Sequence, residues 1–205
     1  MATFLVLKEK SCFELKEKFS RFISLAYPIK SENEAQTLLK DIQKNFFDAT
    51  HICFAYKLNE LIKYSDAGEP KGTAGIRILN AIEHFELDYI LISVVRYFGG
   101  IKLGIGPLGK AYYDAAFGAL KNAKFALMKS YCKVKLNFNS SLFSFVAKNL
   151  NSLKAKIIEQ GYDDYSYITF YIEEEKFELF NKVLIELNSK DYSSCIIENG
   201  IMIEN

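Results

Sequence analysis

The spacing of apolar residues in the first part of the chain predicts alternating strands and helices. Loose alternation of Phe, Ile and Leu indicates strands at residues 3–8, 12–27 and 52–62. Ser31 is followed three residues later by Glu34, a capping box that predicts the start of a helix. That helix is predicted to reach about Phe46, which separates the second strand region from the third.

The most hydrophobic segment, residues 87–97, is predicted to be a buried strand between two further helices. The helix before this strand is predicted to start at Thr73. Its apolar face is formed by Ile78, Leu79, Ile82 and Phe85. The helix after the strand is predicted to start at Pro107, a residue favoured at the first helical position, and to end near Lys124.

A second unit begins near Tyr131 with a clean alternation of apolar and polar residues. Its strands are predicted at residues 131–138, 154–160, 165–173 and 193–203. Helical stripes between them are formed by Leu142, Phe145, Val146 and Leu150, and later by Phe177, Phe180, Leu184 and Leu187. The order β-α-β-β-α-β is the split-βαβ, ferredoxin-like plan. We therefore predict an α+β protein of two domains, residues 1–127 and 128–205.

Composition narrows the functional classes without naming one. Half of the 205 residues are apolar and the net charge is +1, so no global field recruits nucleic acid or a membrane. The four cysteines lack Cys-x-x-Cys spacing, which favours reduced thiols over a disulfide framework or a zinc site. The apolar stretches are too short to cross a bilayer, and the N-terminus lacks the features of a secretory signal. We expect a cytoplasmic protein with no membrane partner.

Eight of the eleven glycines lie between Gly68 and Gly109, in two polar segments. We call residues 65–75 the first glycine segment and residues 96–110 the second glycine segment. Each segment runs into a predicted helix, whose N-terminus attracts anions, and Thr73 is the expected N-cap of the first. The cations in or beside them are Lys71, Arg77, Arg96, Lys102 and Lys110. We predict that the two helix N-termini, together with Lys71, Arg96, Lys102 and Lys110, surround one electropositive concavity able to bind sulfate or phosphate.

Arg96 ends a strand that is otherwise apolar, so its charge needs a buried carboxylate or a ligand. Asp66 and Glu69 are the carboxylates that the first glycine segment offers. Two interpretations stay open at this point. Arg96 forms an internal ion pair that joins the two segments, or it belongs to an anion or partner site, and the two are compatible.

Acid–base chemistry has three candidate residues in this region. His51 starts a predicted strand and can serve as a general base oriented by Asp66 or Glu69, although a structural hydrogen bond explains such a histidine equally well. The glycine spacing matches neither a phosphate loop nor a dinucleotide fingerprint. Since the sequence also shows no triad, metal set or cofactor motif, it predicts no cofactor and favours a non-catalytic role.

Tyrosines and lysines alternate with apolar residues on two strands of the second unit. If Cys132, Val134, Ile168, Phe170 and Ile172 face the helices, the residues facing away are Tyr131, Lys133, Lys135, Tyr165, Tyr167 and Tyr171. RNA-recognition domains place stacking aromatic residues on such central strands. The alternative is a face covered by the first unit or by a partner, so both interpretations stay open.

The two glycine segments together resemble the signature of the YigZ/IMPACT family. The matching residues are Asp66, Gly68-Glu69-Pro70, Gly72-Thr73-Ala74-Gly75, Val94, Arg96-Tyr97-Phe98-Gly99-Gly100, Lys102-Leu103-Gly104, Gly106, Leu108 and Ala111-Tyr112. Two earlier pieces also resemble the family: Lys18-Phe19-Ser20-Arg21-Phe22-Ile23 and Asp48-Ala49-Thr50-His51. The resemblance covers residues 12 to about 120. Departures from the family pattern occur at Ala67, Arg77, Pro107 and Lys110.

This resemblance implies a fold for each unit. The N-terminal unit is expected to share the fold of domain 2 of a small-subunit ribosomal protein, which also occurs in domain IV of translation GTPases. The C-terminal unit is expected to resemble the last domain of elongation factor G. Eukaryotic members of the family regulate translation by competing for the activator of an amino-acid-starvation kinase.

The resemblance therefore implies a non-catalytic, translation-linked protein that contacts RNA, the ribosome or a translation-regulating protein. The contact surface is expected in residues 65–77 and 96–110. Its predicted binding residues are Asp66, Glu69, Lys71, Thr73, Arg96, Tyr97, Gly99, Gly100, Lys102 and Lys110. The alternative is a small-molecule enzyme that acts on a phosphate- or carboxylate-bearing substrate at the same residues.

Overall fold

The computed structural model describes residues 3–185 and 192–204, with side chains throughout these ranges except at Cys195 and from Gly200 onward. The described chain forms two β-sheets and five α-helices, which confirms the predicted α+β class. It divides into two compact units, one spanning Phe4–Ala126 and the other formed mainly by the chain from Leu127 onward. Within the described residues, none of the helices combines the length and the apolarity needed to cross a bilayer.

The first unit is an antiparallel sheet covered by helices. Its elements are β1 (Thr3–Leu7), β2 (Ser11–Glu17), β3 (Ser20–Pro28), α1 (Glu32–Asn45), β4 (His51–Leu58), β5 (Leu61–Ser65), α2 (Gly75–His84), β6 (Ile90–Tyr97) and α3 (Ile105–Lys121). The sheet order is β2-β3-β6-β4-β5. Central β6 is buried from Ile90 to Arg96, because α2 and α3 pack with Ile92 and Val94 while α1 packs near Leu91.

Two predicted strands are in fact hairpins. The region 12–27 turns at Lys18 and Phe19, which both have positive φ (43° and 64°), and the region 52–62 turns at Asn59 (φ 55°). A tight turn of this kind leaves the alternation of apolar residues almost undisturbed, so periodicity alone does not reveal it. The hairpins matter for function because β3 and β4 flank β6 and thereby surround its C-terminal end.

The helices that follow the glycine segments also begin elsewhere than predicted. Helix α2 starts at Gly75 with Ala74 as its N-cap residue, so the assignment of Thr73 as the N-cap is wrong. The Thr73 hydroxyl instead donates a hydrogen bond to the Pro70 carbonyl at 2.6 Å, which closes the preceding turn. Helix α3 starts at Ile105, before Pro107, with Gly104 as its N-cap residue.

The second unit has the predicted element order β-α-β-β-α-β. Its elements are β7 (Phe125–Phe138), α4 (Phe143–Ser152), β8 (Lys156–Tyr162), β9 (Ser166–Glu173), α5 (Glu174–Ile185) and β10 (Tyr192–Glu204). Strand β7 pairs with β10 and with β9, and β9 pairs with β8, all antiparallel, so β7 and β9 are central neighbours. The same five-stranded sheet includes β1, which pairs with β7. Leu187, predicted to lie on the last helical stripe, is outside the described residues.

The two faces of this second sheet differ as the alternation predicted. Its apolar core contains Cys132, Val134, Ile168, Phe170 and Ile172 together with residues of both helices. The alternate residues Tyr131, Lys133, Lys135, Tyr167 and Tyr171 are partly or fully exposed. The Lys135 ammonium lies 4.7 Å from the centre of the Tyr167 ring. Exposed Tyr165 precedes β9 instead of lying on it.

Candidate functional site

A buried ion pair joins the two glycine segments. The Arg96 Nη1 atom lies 2.6 Å from Glu69 Oε1, and both side chains are almost fully buried. The guanidinium is flanked by the rings of Phe22 and Phe98, whose centres are 5.3 and 5.4 Å away. Of the two interpretations of Arg96, the internal ion pair is therefore observed, and its carboxylate partner is Glu69.

Tyr112, which was not among the residues predicted to act at the site, completes this buried network. Its hydroxyl donates to Glu69 Oε1 at 2.8 Å and accepts a weak hydrogen bond from the Cys53 thiol at 3.4 Å. Burial raises the pKa of Tyr112, and burial raises the pKa of Cys53 to about 12, so both groups keep their protons. The sequence signal for this role is one large polar side chain on a helix face otherwise made of leucine, alanine and glycine.

Asp66 has a different role from the one predicted. Its carboxylate accepts hydrogen bonds from the backbone N–H groups of Gly72, Ala74 and Gly75 at 2.8, 3.0 and 2.8 Å. Burial alone would raise the pKa of Asp66, but these three bonds together outweigh that effect and lower it. The N-terminus of α2 is thus already occupied by an internal anion, so it offers no anion site.

His51 and Glu69, two of the three acid–base candidates, are brought together. The His51 ring places Nε2 3.9 Å from Glu69 Oε2, while Nδ1 lies 2.9 Å from the Ala67 carbonyl oxygen. A carbonyl oxygen only accepts, so Nδ1 carries a hydrogen and Nε2 of the neutral ring carries the lone pair. The third candidate, Asp66, caps α2 and does not orient His51 through its carboxylate.

A cavity of about 420 Å³ lies above the ion pair and is lined by both glycine segments. Its polar lining consists of Thr50, His51, Glu69, Arg96 and Lys102. Its remaining lining consists of Gly68, Pro70, Phe98, Leu103, Gly104, Ile105 and Leu108. The start of α3 belongs to this wall, and Gly104, with φ 85°, provides no side chain to cap it. The volume is that of a small-ligand site.

The predicted cations do not share one concavity. Arg96 and Lys102 line the cavity, whereas Lys110 pairs with Asp114 and lines a separate depression of about 390 Å³. That depression is also lined by Arg77, Asn80, Gly106, Gly109 and Tyr113. Exposed Lys71 lines neither. The prediction of a single electropositive site formed by both helix N-termini and all of these cations is therefore wrong.

The remaining predicted binding residues shape the start of the second glycine segment. The Tyr97 hydroxyl donates to Asp48 Oδ1 at 2.8 Å. A Cβ atom on Gly99 would lie 2.1 Å from the Phe19 carbonyl carbon, so only glycine fits this close approach. Gly100 has a φ of 86° with open space around it. None of these three residues lines the cavity.

Comparisons with known proteins agree with the sequence motifs. The profile of the Impact N-terminal domain matches residues 18–120, which include every residue that lines the cavity. The IMPACT family member YvyE of Bacillus subtilis (strain 168) is 31% identical, with 91% of this chain and 88% of the relative covered. An IMPACT family member of Haemophilus influenzae is also 31% identical, with 98% of this chain and 100% of the relative covered.

A solved structure shares the fold over nearly the whole chain. It is titled only as the crystal structure of a hypothetical protein, and it shares 25% sequence identity with this chain at a TM-score of 0.68. The match covers 97% of this chain and 98% of that one. By its N-terminal domain and its full-length relatives, this chain belongs to the IMPACT family.

Proposed function

We propose that this chain is a translation-linked RNA-binding protein, and that its N-terminal unit contacts RNA at the cavity and its rim. The observation that carries the proposal is the convergence of Arg96, Lys102 and the uncapped start of α3 on one cavity. Helix N-termini and cations bind phosphate groups, which every nucleotide of an RNA strand presents. The family resemblance also implies that the first unit shares the fold of a ribosomal protein domain and that the second resembles the last domain of elongation factor G. We include these two fold relationships in the proposal.

The rim of the cavity has side chains that suit a single RNA strand with unstacked bases. Phe98 and Ile105 line the cavity and are exposed, as is the neighbouring Ile101. Proteins that bind single-stranded RNA combine such exposed aromatic or apolar groups with nearby cations. Lys102 supplies an exposed cation between Ile101 and the start of α3.

The test is retention of ribosomal fractions by the immobilised protein, washed at graded salt. Retention should fall steeply with salt, because lysines displace counterions from phosphates. Lys102→Glu should weaken retention and reduce the log–log salt slope by about 0.7–0.9 for each lost phosphate contact. Lys40→Glu makes the same charge change at an exposed residue of α1 that does not line the cavity, and it should have little effect on retention.

Two further variants locate the contact. Lys110→Glu should matter only if RNA extends into the second depression, which Lys110 lines. If the tyrosine face of the second unit stacks bases, Tyr165→Ala and Tyr167→Ala should each cost about 1–3 kcal/mol of binding, and Lys102→Glu should matter little. Absence of any salt-sensitive retention of ribosomes or RNA by the parent protein would overturn the proposal.

A second function is favoured by the position of His51. Its Nε2 atom and Glu69 Oε2, 3.9 Å apart, both belong to residues that line the cavity, as a general base and its carboxylate neighbour would in a small-molecule enzyme. Such an enzyme would act on a phosphate- or carboxylate-bearing substrate. The test is to assay the parent protein for turnover of a panel of such substrates. If His51→Gln abolishes the turnover without changing the unfolding midpoint, the enzyme function is favoured over RNA binding.

A further inference from the structure

The buried carboxylate of Glu69 has one oxygen that the protein itself does not use. Oxygen Oε1 accepts hydrogen bonds from both Arg96 and Tyr112. Oxygen Oε2 accepts no hydrogen bond from the residues that the structure describes, although the Glu69 side chain is only 3% exposed. Because Glu69 lines the cavity, this oxygen is available to accept a hydrogen bond from a donor that enters the cavity.

The neighbour of this oxygen is a second acceptor. Because the His51 ring donates from Nδ1 to the Ala67 carbonyl, Nε2 of the neutral ring carries the lone pair, and this atom lies 3.9 Å from Glu69 Oε2. Two lone pairs do not bond to each other. One N–H-bearing group placed between them satisfies both, and both residues line the cavity.

The same cavity also attracts an anion. Its charged lining consists of two cations, Arg96 and Lys102, and one carboxylate, Glu69, so it carries a net positive charge when His51 is neutral. At the start of α3, the N–H groups of Ile105 and Gly106 have no intrahelical acceptor, Pro107 has no N–H group, and Gly104 offers no side chain as a cap. A ligand with a donor group at one end and a negative charge at the other therefore suits this lining.

The remaining walls are mostly apolar and suit an apolar ligand body. Their side chains include Pro70, Phe98, Leu103 and Leu108. The volume of about 420 Å³ lies in the range of sites that enclose small organic ligands. A nucleobase joins a flat body to an exocyclic amino group, and its nucleotide adds the phosphate.

We infer that the cavity binds a single nucleotide whose base carries an exocyclic amino group. The amino group donates to His51 Nε2 and Glu69 Oε2, and the phosphate lies at the start of α3 near Lys102. This inference rests on the proposed RNA contact in one respect, since the nucleotide is either a free nucleoside monophosphate or an unstacked residue of an RNA strand. The shared chemistry is an amino-bearing base with a phosphate.

Matched nucleotides test the donor directly. AMP and CMP carry the exocyclic amino group, whereas IMP and UMP have an oxygen at the same position. By titration calorimetry, AMP should bind about 10-fold or more tightly than IMP, and CMP should exceed UMP in the same way, since one base-edge contact discriminates by about 1–3 kcal/mol. Adenosine, which lacks the phosphate, should bind more weakly than AMP.

Variants separate the two ends of the ligand. His51→Ala should reduce the preference for AMP over IMP, because it removes one of the two acceptors. Lys102→Ala should weaken AMP and IMP alike and leave their ratio unchanged. Lys40→Ala, on α1, should alter neither affinity nor ratio, and thermal melts of all three variants confirm that they are folded.

The outcomes also distinguish this inference from the proposed function. Equal binding of AMP and IMP, or no binding of any of the four nucleotides, overturns the inference even where ribosome retention is observed. A preference for AMP without ribosome retention supports the inference and overturns the proposed function. A short oligoadenylate that binds more tightly than AMP, and more tightly than oligoinosinate, identifies RNA as the source; AMP binding without that gain identifies the free nucleotide.

Discussion

The two helix N-termini that follow the glycine segments have opposite environments. At α2, the Asp66 carboxylate accepts three backbone N–H groups and supplies the anion from within the chain. At α3, the N-cap residue is Gly104, no side chain caps the helix, and the first turn lines a cavity. A similar glycine-rich composition therefore stabilises the fold in one segment and leaves an anion-attracting helix end without a side-chain cap in the other.

What separates the two segments is the position of one carboxylate. The first glycine segment carries both Asp66 and Glu69, and it uses the former for α2 and the latter for Arg96 of the second segment. The second segment has no acidic residue of its own. The partial positive charge at the start of α3 therefore has no carboxylate from its own segment beside it. Within the cavity, one carboxylate, Glu69, faces two cations, Arg96 and Lys102.

The largest expected effect comes from breaking the connection between the segments. Arg96→Ala should lower the free energy of unfolding by about 3–5 kcal/mol, because it leaves the Glu69 carboxylate buried without its cation. Urea unfolding at neutral pH measures this change. Arg21→Ala is the matched control, since Arg21 pairs with Glu14 at the surface and should contribute less than about 1 kcal/mol.

A loss below about 1 kcal/mol for Arg96→Ala would contradict the view that the ion pair holds the segments together. In that case RNA or nucleotide binding should fall instead, and melts with and without ribosomal RNA would show that Arg96 acts mainly on a ligand.

The next largest expected loss of stability concerns the backbone conformation at Gly104, the N-cap residue of α3. Gly104 has φ 85° and ψ 159°, a conformation open almost only to glycine, so Gly104→Ala should cost about 1–3 kcal/mol. Gly106→Ala is the control in the same segment, because a Cβ there meets nothing within 4 Å and no positive φ is required. It should be neutral or up to about 1 kcal/mol stabilising. Equal effects of the two substitutions would show that backbone conformation does not set this helix start.

The smallest expected loss of stability is at the N-terminus of α2, which the Asp66 carboxylate caps. Asp66→Asn keeps an acceptor oxygen but removes the charge at α2, and should cost about 0.5–2 kcal/mol at pH 7. The pKa of folded Asp66 is lowered, so its stabilisation is complete above the unfolded value, about 4, and is lost as pH falls through the folded pKa.

Parent and Asp66→Asn unfolding curves should therefore converge on acidification, which urea titrations at pH 7 and at about pH 3 would show. Asp41→Asn, on exposed α1, should give no such convergence. A constant difference between parent and Asp66→Asn at both pH values would mean that the carboxylate does not act as the charged cap.

More of the fold than of the candidate site could be predicted from the sequence. Periodicity predicted the buried strand at β6 and the β-α-β-β-α-β order of the second unit, because apolar spacing reports directly on burial. It placed Arg96 at a strand end and offered Glu69 as one of two partners. Periodicity could not choose between Asp66 and Glu69, since the choice depends on how the turn at Ala67 and Gly68 directs each carboxylate.

Residues that act through packing were harder to predict. Tyr112 lies on a helix face whose burial is obvious, yet its hydrogen bond to Glu69 depends on a contact across 43 residues of sequence. Lys110 carries the predicted charge, but the rotation of α3 directs it to the second depression and to Asp114. Such outcomes follow from three-dimensional positions that a linear pattern does not contain.

The close approach of Gly99 to the β2–β3 turn has a consequence for motion. The Gly99 N–H group donates to Ser20 Oγ at 3.2 Å, and its Cα lies too near Phe19 for any side chain. Gly99 thus ties the start of the second glycine segment to the hairpin, whereas a Cβ at Gly100 or Gly104 would meet nothing within 4 Å. In hydrogen exchange, the Gly99 amide should therefore be protected like the sheet, and the amides from Ile101 to Leu103 should exchange faster than it does.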